Sequence, residues 1–303
     1  MQSVELGKSG IESSRLIYGC MRMLGDGSAD DIARGKAAAL AAFDAGYTHF
    51  DHADIYSDGQ SEQAFGELLR EHPGLRRKML ITTKCGIRFA DGSGAPKRYD
   101  FSGSHIVGSV EGSLERLGIE QIDILLLHRP DYLMDPHEVA EAFSELRASG
   151  KVANFGVSNF APSALSLLQS ALDVDLLVNQ VEINLHHIEP IEDGTLHYCM
   201  ENVIAVQAWS PLAGIVNPAW GNTFTPEQEQ RIGAEVGRQA DDYGVDPSLI
   251  ALAWVLRHPA EVSPVIGSTS PERIRSAVSA LHIPYRREDW YRLLEARNGA
   301  EVP

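Results

Sequence analysis

Short apolar runs alternate with longer amphipathic stretches along the whole chain. The runs predict strands at residues 15–18, 48–51, 79–83, 122–128, 153–158, 176–180, 203–209 and 264–266. Between them the apolar positions recur at helical spacing, which predicts helices at 31–44, 62–70, 104–117, 136–149, 162–170, 193–201, 226–243 and 271–281. Thr225 and Ser270 are N-cap candidates, each followed by a proline whose fixed φ suits a first helical turn. Gly46, Gly118 and Gly150 stand just past helices, where a left-handed C-cap is expected.

Strict strand–helix alternation implies parallel strands joined by crossover helices. Runs such as ILLLH and VIAVQAW are apolar at successive positions, as a sheet covered on both faces requires. Eight such units predict an α/β fold of the closed (β/α)₈ TIM-barrel type. No G-x-G-x-x-G turn follows the first strand, which argues against an open dinucleotide-binding sheet. Two helical stretches, 247–257 and 287–298, are surplus to the repeat. The longest irregular segments, 86–103 and 211–225, both follow strand ends, the face that carries the active site in such barrels. No linker-like or low-complexity tract interrupts the chain, so one domain over 1–303 is expected.

The length of 303 residues suits a barrel with insertions, and 44% hydrophobic content supports a large core. A formal charge of −16 disfavours a general nucleic-acid or anionic-membrane surface, so any bound anion must be met by cations gathered locally. Cys20, Cys85 and Cys199 are sparse, odd in number and without metal-ligand spacing, which fits a reducing compartment. The first residues, MQSVELGKSG, lack the basic start and apolar stretch of a secretion signal, and no run approaches a membrane span. A cytoplasmic protein is expected.

Candidate chemistry gathers at three successive strand ends. HFDHADIY puts Asp51 at the second strand's tip and Tyr56 in the loop beyond; ITTKCG and ILLLHRP put Lys84 and His128 at the next two. Each has an ordinary structural reading on its own: a cap, a salt-bridged lysine, a packed histidine, a loop aromatic. Together on one barrel face they form a proton-transfer set. An ammonium lowers the pKa of a neighbouring phenol, a carboxylate holds the ammonium, and a histidine orients a carbonyl oxygen.

The strings DHADIY, TKCG and LLHRPD resemble the pattern of the aldo-keto reductase family, and the likeness continues through GKVANFGVSNFAPSAL, LVNQVEIN, AWSPLAG and PVIGSTSPERIRSAV. It covers nearly the whole chain and is similar to bacterial members with a short C-terminal end. The resemblance implies a nicotinamide-dependent oxidoreductase that reduces aldehydes or ketones by direct hydride transfer, with Asp51, Tyr56, Lys84 and His128 as catalytic residues and Tyr56 as general acid. It implies that Ser158, Asn159 and Gln180 bind the nicotinamide carboxamide, that Trp209 stacks on its ring, and that Ser210, Leu212 and Gly214 line the pyrophosphate path. Gly267, Ser268, Thr269 and Arg273 match the adenosine-phosphate site, at a helix start that suits phosphate groups. NADP(H) is the expected cofactor, with NAD(H) as a possible substitute. Gly267 stands where many members carry Lys, and Ser276 and Ala277 where they carry an acid–amide pair, so the phosphate grip rests on Arg273.

Met21, Arg22, the 86–103 loop and His186 are the expected substrate contacts. A monomer acting on a small carbonyl or alcohol is expected, without nucleic-acid or membrane partners and without a metal. His49 and His52 flank Asp51, but an odd separation along a strand points them to opposite faces. His187 reads as loop surface, and Cys85 as a small packing residue. Two other classes remain open at this stage: a nicotinamide-binding, redox-sensing regulatory subunit with little turnover, and a metal-dependent barrel hydrolase.

Overall fold

Eight parallel strands close into a ring: β1 (Ile17–Gly19), β2 (His49–Asp51), β3 (Leu80–Cys85), β4 (Ile122–Leu127), β5 (Val152–Ser158), β6 (Leu176–Glu182), β7 (Ala205–Trp209) and β8 (Ser263–Ile266), with β8 pairing back to β1. This is the (β/α)₈ barrel expected from the alternating pattern. The computed structural model describes residues 1–92, 94–216, 218, 221 and 224–303. Of the two long loops, Ser93 and residues 217, 219, 220, 222 and 223 lie outside the described residues.

Around the ring run α1 (Ala29–Asp44), α2 (Gln60–Glu71), α3 (Gly103–Leu117), α4 (Pro136–Ala148), α5 (Pro162–Ala171), α6 (Thr195–Asn202), α7 (Pro226–Tyr243), α8 (Pro247–Leu256), α9 (Pro271–Ala277) and α10 (Arg287–Asn298). Proline opens α4, α5, α7, α8 and α9, where its missing N–H costs no intrahelical bond. Thr225 forms a full capping box with Gln228, and Ser270 accepts from the Arg273 backbone N–H. Gly118 ends α3 in the left-handed conformation (φ 65°).

Core apolar side chains lie between the strands' outer faces and the helices, as where Phe143 of α4 stacks on Phe155 of β5 with centroids 4.0 Å apart. The ring interior leaves little room. A Cβ on Gly156 of β5 would come within 2.6 Å of the Val178 carbonyl oxygen and 2.7 Å of Leu126 Cδ2. Gly156→Ala is therefore expected to lose about 1–3 kcal/mol through overpacking. The check is a lower urea midpoint with an unchanged slope; an unchanged midpoint would show that β5 and β6 separate at no cost.

Several boundaries differ from the sequence reading, each for a local reason. The helix expected at 193–201 is a single turn, Glu189–Glu192, then α6, broken by Gly194 at φ 88°. Val203 at φ 55° ends α6, so β7 begins at Ala205 instead of 203. The helix expected at 271–281 splits into seven-residue α9 and a 3₁₀ turn, Val278–His282. An antiparallel hairpin, Ser3–Glu5 with Glu12–Ser14, was not expected. Its strands are too short for periodicity to register. It carries buried Leu6 against Ile124 and Leu126 of β4 and Leu177 and Val178 of β6, closing the end where the strands begin.

The two surplus helices are present. Trp254 of α8 and Trp290 of α10 stack with centroids 5.0 Å apart, each indole N–H donating to the other residue's carbonyl. That contact holds α8 against α10, and Ser248 and Leu252 of α8 reach the cleft described next.

Candidate active site

A cleft of about 950 Å³ opens at the carboxyl ends of the strands. Asp51, Tyr56 and His128 line one part of it, and Ser268, Thr269 and Arg273 another. Lys84, only 1% exposed, lies beneath. Its Nζ donates to Asp51 Oδ2 (2.8 Å), to the His52 carbonyl (2.7 Å) and to Tyr56 Oη (3.1 Å). All three donors of the ammonium are thus used. Asp51 is held from its other side by Gln180 Nε2, 2.8 Å from Oδ1.

Tyr56 depends on an unusual turn. Ser57, Asp58 and Gly59 all have positive φ (49°, 54° and 80°), and only the glycine adopts that region without strain. A Cβ at Gly59 would meet Arg116 Cδ at 2.8 Å. Arg116 in turn pairs with buried Glu62, which also accepts from Thr83 Oγ1 beside Lys84. The turn carrying Tyr56 and the strand carrying Lys84 are therefore tied to one ion pair. Asp54, two residues before Tyr56, is half-buried; burial of its carboxyl and Glu62 push it up to about 7, against Arg116.

The electrostatics correct one expectation. Burial pushes the Tyr56 phenol above its ordinary pKa; Lys84 pulls it down without cancelling the rise. Burial also opposes the charge on Lys84, but Asp51 and Tyr56 outweigh it and raise its pKa. At neutral pH the pair is therefore a neutral phenol receiving a hydrogen bond from an ammonium. His128 is held well below the ordinary imidazole value by burial, then by Lys84 and Arg129, so it is neutral. Its ring stands edge-on to Tyr56, centroids 6.0 Å apart. The arrangement offers a phenolic proton and a neutral imidazole to one point in the cleft.

Of the expected cofactor contacts, Ser158, Asn159, Gln180, Trp209, Ser210, Leu212, Gly267, Ser268, Thr269 and Arg273 all line this cleft. Trp209 Nε1 donates to Asn159 Oδ1 (2.9 Å), and Asn159 Nδ2 to Ser158 Oγ (2.8 Å). Asn159 and Ser210 have φ of 62° and 50°, uncommon for residues with a side chain and found where a site fixes its backbone. Arg273 forms no ion pair or side-chain hydrogen bond among the described residues, so pairing with Glu272 or Glu261 is not what holds it. α9 spans seven residues, and its first position, Pro271, has no N–H to offer a phosphate.

Two expected contacts lie elsewhere. Gly214 does not line the cleft; at φ 80° it packs against the His186 ring. His186, expected at the substrate, is buried, with Nε2 2.8 Å from Glu229 Oε2 and its ring 4.8 Å from that of Phe224. Met21 and Arg22 do line the cleft. His49 bonds Ser13 and Thr82, and His52 stands edge-on to Phe65; burial lowers both to about 3. Among the described residues no group of three or more His, Cys, Asp or Glu could hold a metal ion. All three cysteines are buried and free, and burial pushes the Cys85 thiol up.

From the 86–103 loop, expected at the substrate, Lys97 and Tyr99 line the cleft, which also holds residues the sequence reading passed over: Arg129, Glu182, Ser248 and Leu252. Two carried a signal. Arg129 directly follows His128, and Glu182 lies two residues past Gln180 on the same face of β6. For Ser248 and Leu252 no local signal exists, since only the docking of α8 brings them in.

A sequence model of the Aldo/keto reductase family matches residues 15–298. The chain is 41% identical to a 6-dehydroglucose reductase of Agrobacterium fabrum, with 100% of both chains covered. More distantly, it is 28% identical to a putative voltage-gated potassium channel subunit beta of Schizosaccharomyces pombe, over 91% of this chain and 87% of that one. In fold it is similar to a solved thermostable aldo-keto reductase, Tm1743 in complex with the inhibitor epalrestat, with TM-score 0.80 and 24% identity over 98% of this chain and 100% of that one. With the family match running almost end to end over a closed eight-stranded barrel, the chain belongs to the aldo/keto reductase family of oxidoreductases.

Proposed function

We propose that this enzyme reduces an aldehyde or ketone to the alcohol with NADP(H), with Tyr56 as general acid. The observation carrying this reading is the contact of Lys84 Nζ with both Asp51 and Tyr56 Oη beneath a cleft also lined by His128. The cleft fits a dinucleotide. One continuous cavity is lined by Tyr56, by the indole of Trp209, by the small Gly267 and by Arg273, which forms no ion pair among the described residues. A Cβ on Gly267 would meet only the Gly19 carbonyl oxygen, at 3.7 Å, so the wall there is open.

A bound reduced nicotinamide supplies the hydride. His128, neutral, donates its one ring N–H to the carbonyl oxygen and fixes its direction. Tyr56 delivers the phenolic proton to that oxygen as negative charge develops on it, and the Lys84 ammonium stabilises the phenolate left behind. Asp51 keeps Lys84 charged and aimed. In alcohol oxidation the same groups act in reverse. Ser158 and Asn159, already bonded to each other, present a polar edge for the carboxamide. Gln180 spends both N–H groups on Asp51 and Gln207, which leaves its carbonyl oxygen for that purpose.

The name of the Agrobacterium relative extends the reading to an aldehyde on a sugar. The test is loss of NADPH absorbance with a panel of aldehydes, ketones and oxidised sugars; no turnover with any of them would defeat the reading. The channel-subunit relative favours the second reading, a redox-sensing regulatory subunit, and slow turnover with tightly retained cofactor would support it. Buried, free cysteines fit a cytoplasmic location, and a monomer belongs to the same proposal. No helix among the described residues is long and apolar enough to cross a membrane.

Cofactor choice rests on Arg273. A charge-assisted hydrogen bond to a ribose 2′-phosphate is worth about 1.5–3 kcal/mol, roughly 10- to 150-fold in affinity. Arg273→Met is expected to weaken NADPH binding about tenfold or more and to leave NADH nearly unchanged. Fluorescence titration with each cofactor decides this, and equal loss for both would remove Arg273 from phosphate recognition.

A further inference from the structure

Beyond the groups assigned to chemistry and cofactor, the cleft contains an acid and a base that do not pair. Glu182 ends β6 beside Trp209 of β7, its Cα partner across the sheet. Glu182 is 8% exposed, yet among the described residues its carboxylate receives one hydrogen bond, from Asn184 Nδ2 at 3.1 Å. His187 Nδ1 stands 4.0 Å from Oε2, beyond hydrogen-bond range, and sits closer to Glu189 at 3.2 Å. Asn184 is itself immobilised: its Oδ1 accepts from the backbone N–H of His186 and His187, and its Nδ2 also donates to the Ser210 carbonyl. Glu182 is thus a buried, fixed acceptor with unused capacity.

Arg129 follows His128 and is half-buried. Its guanidinium lies over the Trp209 ring, 5.0 Å from the centroid, and among the described residues it makes no hydrogen bond or ion pair. Stacking occupies the flat face of a guanidinium and leaves its N–H edge free. Burial holds the Glu182 carboxyl above its usual range, while Asn184, His187 and Arg129 pull it back and Glu189 adds to the rise. A carboxylate and a guanidinium lining one half-buried cleft would gain by closing on each other, since paired buried charges are far cheaper than lone ones. Asn184 holds the carboxylate and the Trp209 ring lies against the guanidinium, and both residues line the cleft that His128 also lines.

We infer that Glu182 and Arg129 are specificity-determining residues that read hydroxyl groups on the substrate, selecting a polyhydroxylated aldehyde over a plain one. The inference rests on the proposed carbonyl reduction. The carboxylate accepts hydrogen bonds that substrate hydroxyls donate, and the guanidinium N–H groups donate to hydroxyl oxygens, so adjacent hydroxyls satisfy both at once. A plain alkyl aldehyde leaves both charges desolvated and unanswered, and a site built for hydroxyls rejects it for that reason.

The experiment compares kcat/KM for a hexose carrying an aldehyde at C6 with kcat/KM for hexanal, in the wild type, Glu182→Gln and Arg129→Gln. The wild type is expected to favour the hexose aldehyde. Each variant should lower the ratio of the two values about 10- to 100-fold, chiefly through KM of the hexose aldehyde. Among the described residues Arg129 makes no polar bond, so its variant tests the idea even if Glu182→Gln fails to fold. A ratio within about threefold of wild type in the folded variants would overturn the inference while leaving carbonyl reduction intact. If the wild type reduces neither aldehyde with NADPH or NADH but turns over another carbonyl, the substrate class is wrong. If it turns over none, the reading beneath it falls too.

Discussion

Tyr56→Phe is expected to bind nicotinamide cofactor as the wild type does and to lose carbonyl reduction by roughly 10²–10⁴-fold, the worth of a positioned general acid. The change deletes one oxygen. That oxygen receives a hydrogen bond from Lys84 Nζ, and no other described contact of Tyr56 depends on it. The ring remains edge-on to His128, and the left-handed turn from Ser57 to Gly59 stays moored by Arg116 and Glu62. His128 is no substitute proton source, because burial and Lys84 hold it neutral. The measurement is a cofactor fluorescence titration beside steady-state turnover. Near-normal turnover would remove Tyr56 from the mechanism.

The direction of the Tyr56 pKa shift belongs in the same argument. The sequence suggests a phenol lowered by its ammonium neighbour, and the structure gives a phenol raised by burial with Lys84 opposing. For reduction this is no handicap. The acid must be protonated before it donates, and the ammonium acts on the phenolate formed as the proton leaves.

Asp51, Lys84 and His128 were legible because a barrel strand's last residues face one place, so position along the strand already locates the side chain. Tyr56 was legible only through the DHADIY string, since nothing local reveals a turn with three consecutive positive φ values. His186 was misplaced for a complementary reason. Its partners, Glu229 and Phe224, come from about forty residues further on, and pairing at that distance leaves no pattern beside His186 itself. Glu182 and Arg129 fall between these cases: Arg129 follows His128 and Glu182 lies two residues past Gln180, but their sharing one cleft depends on the tertiary fold, with Asn184 bonded to one and Trp209 against the other. Burial decides the sign for Tyr56, and burial is a tertiary quantity that residue spacing does not carry.

Lys84→Met is expected to damage turnover about as much as loss of the Tyr56 hydroxyl, roughly 10²–10⁴-fold, and the two losses should not add. Lys84 Nζ has three partners, and two of them belong to the proposed proton transfer. Without the ammonium, Tyr56 keeps its burial and loses the one group that lowers its pKa, so forming a phenolate becomes harder still. Asp51 loses its ion pair inside the protein and retains the Gln180 bond. Removing one partner of a buried pair costs about 3–5 kcal/mol of stability, so a urea unfolding curve must show that the variant is folded before its kinetics are read. The double variant Tyr56→Phe/Lys84→Met then decides the point. Groups that act as a unit give a double variant resembling either single one, because the first deletion has already removed what the second would take. Full multiplication of the two losses would show that Lys84 acts on turnover independently of Tyr56, through Asp51 or the cleft's overall field, and would break the chain Asp51–Lys84–Tyr56 as a mechanism while leaving it standing as a structure.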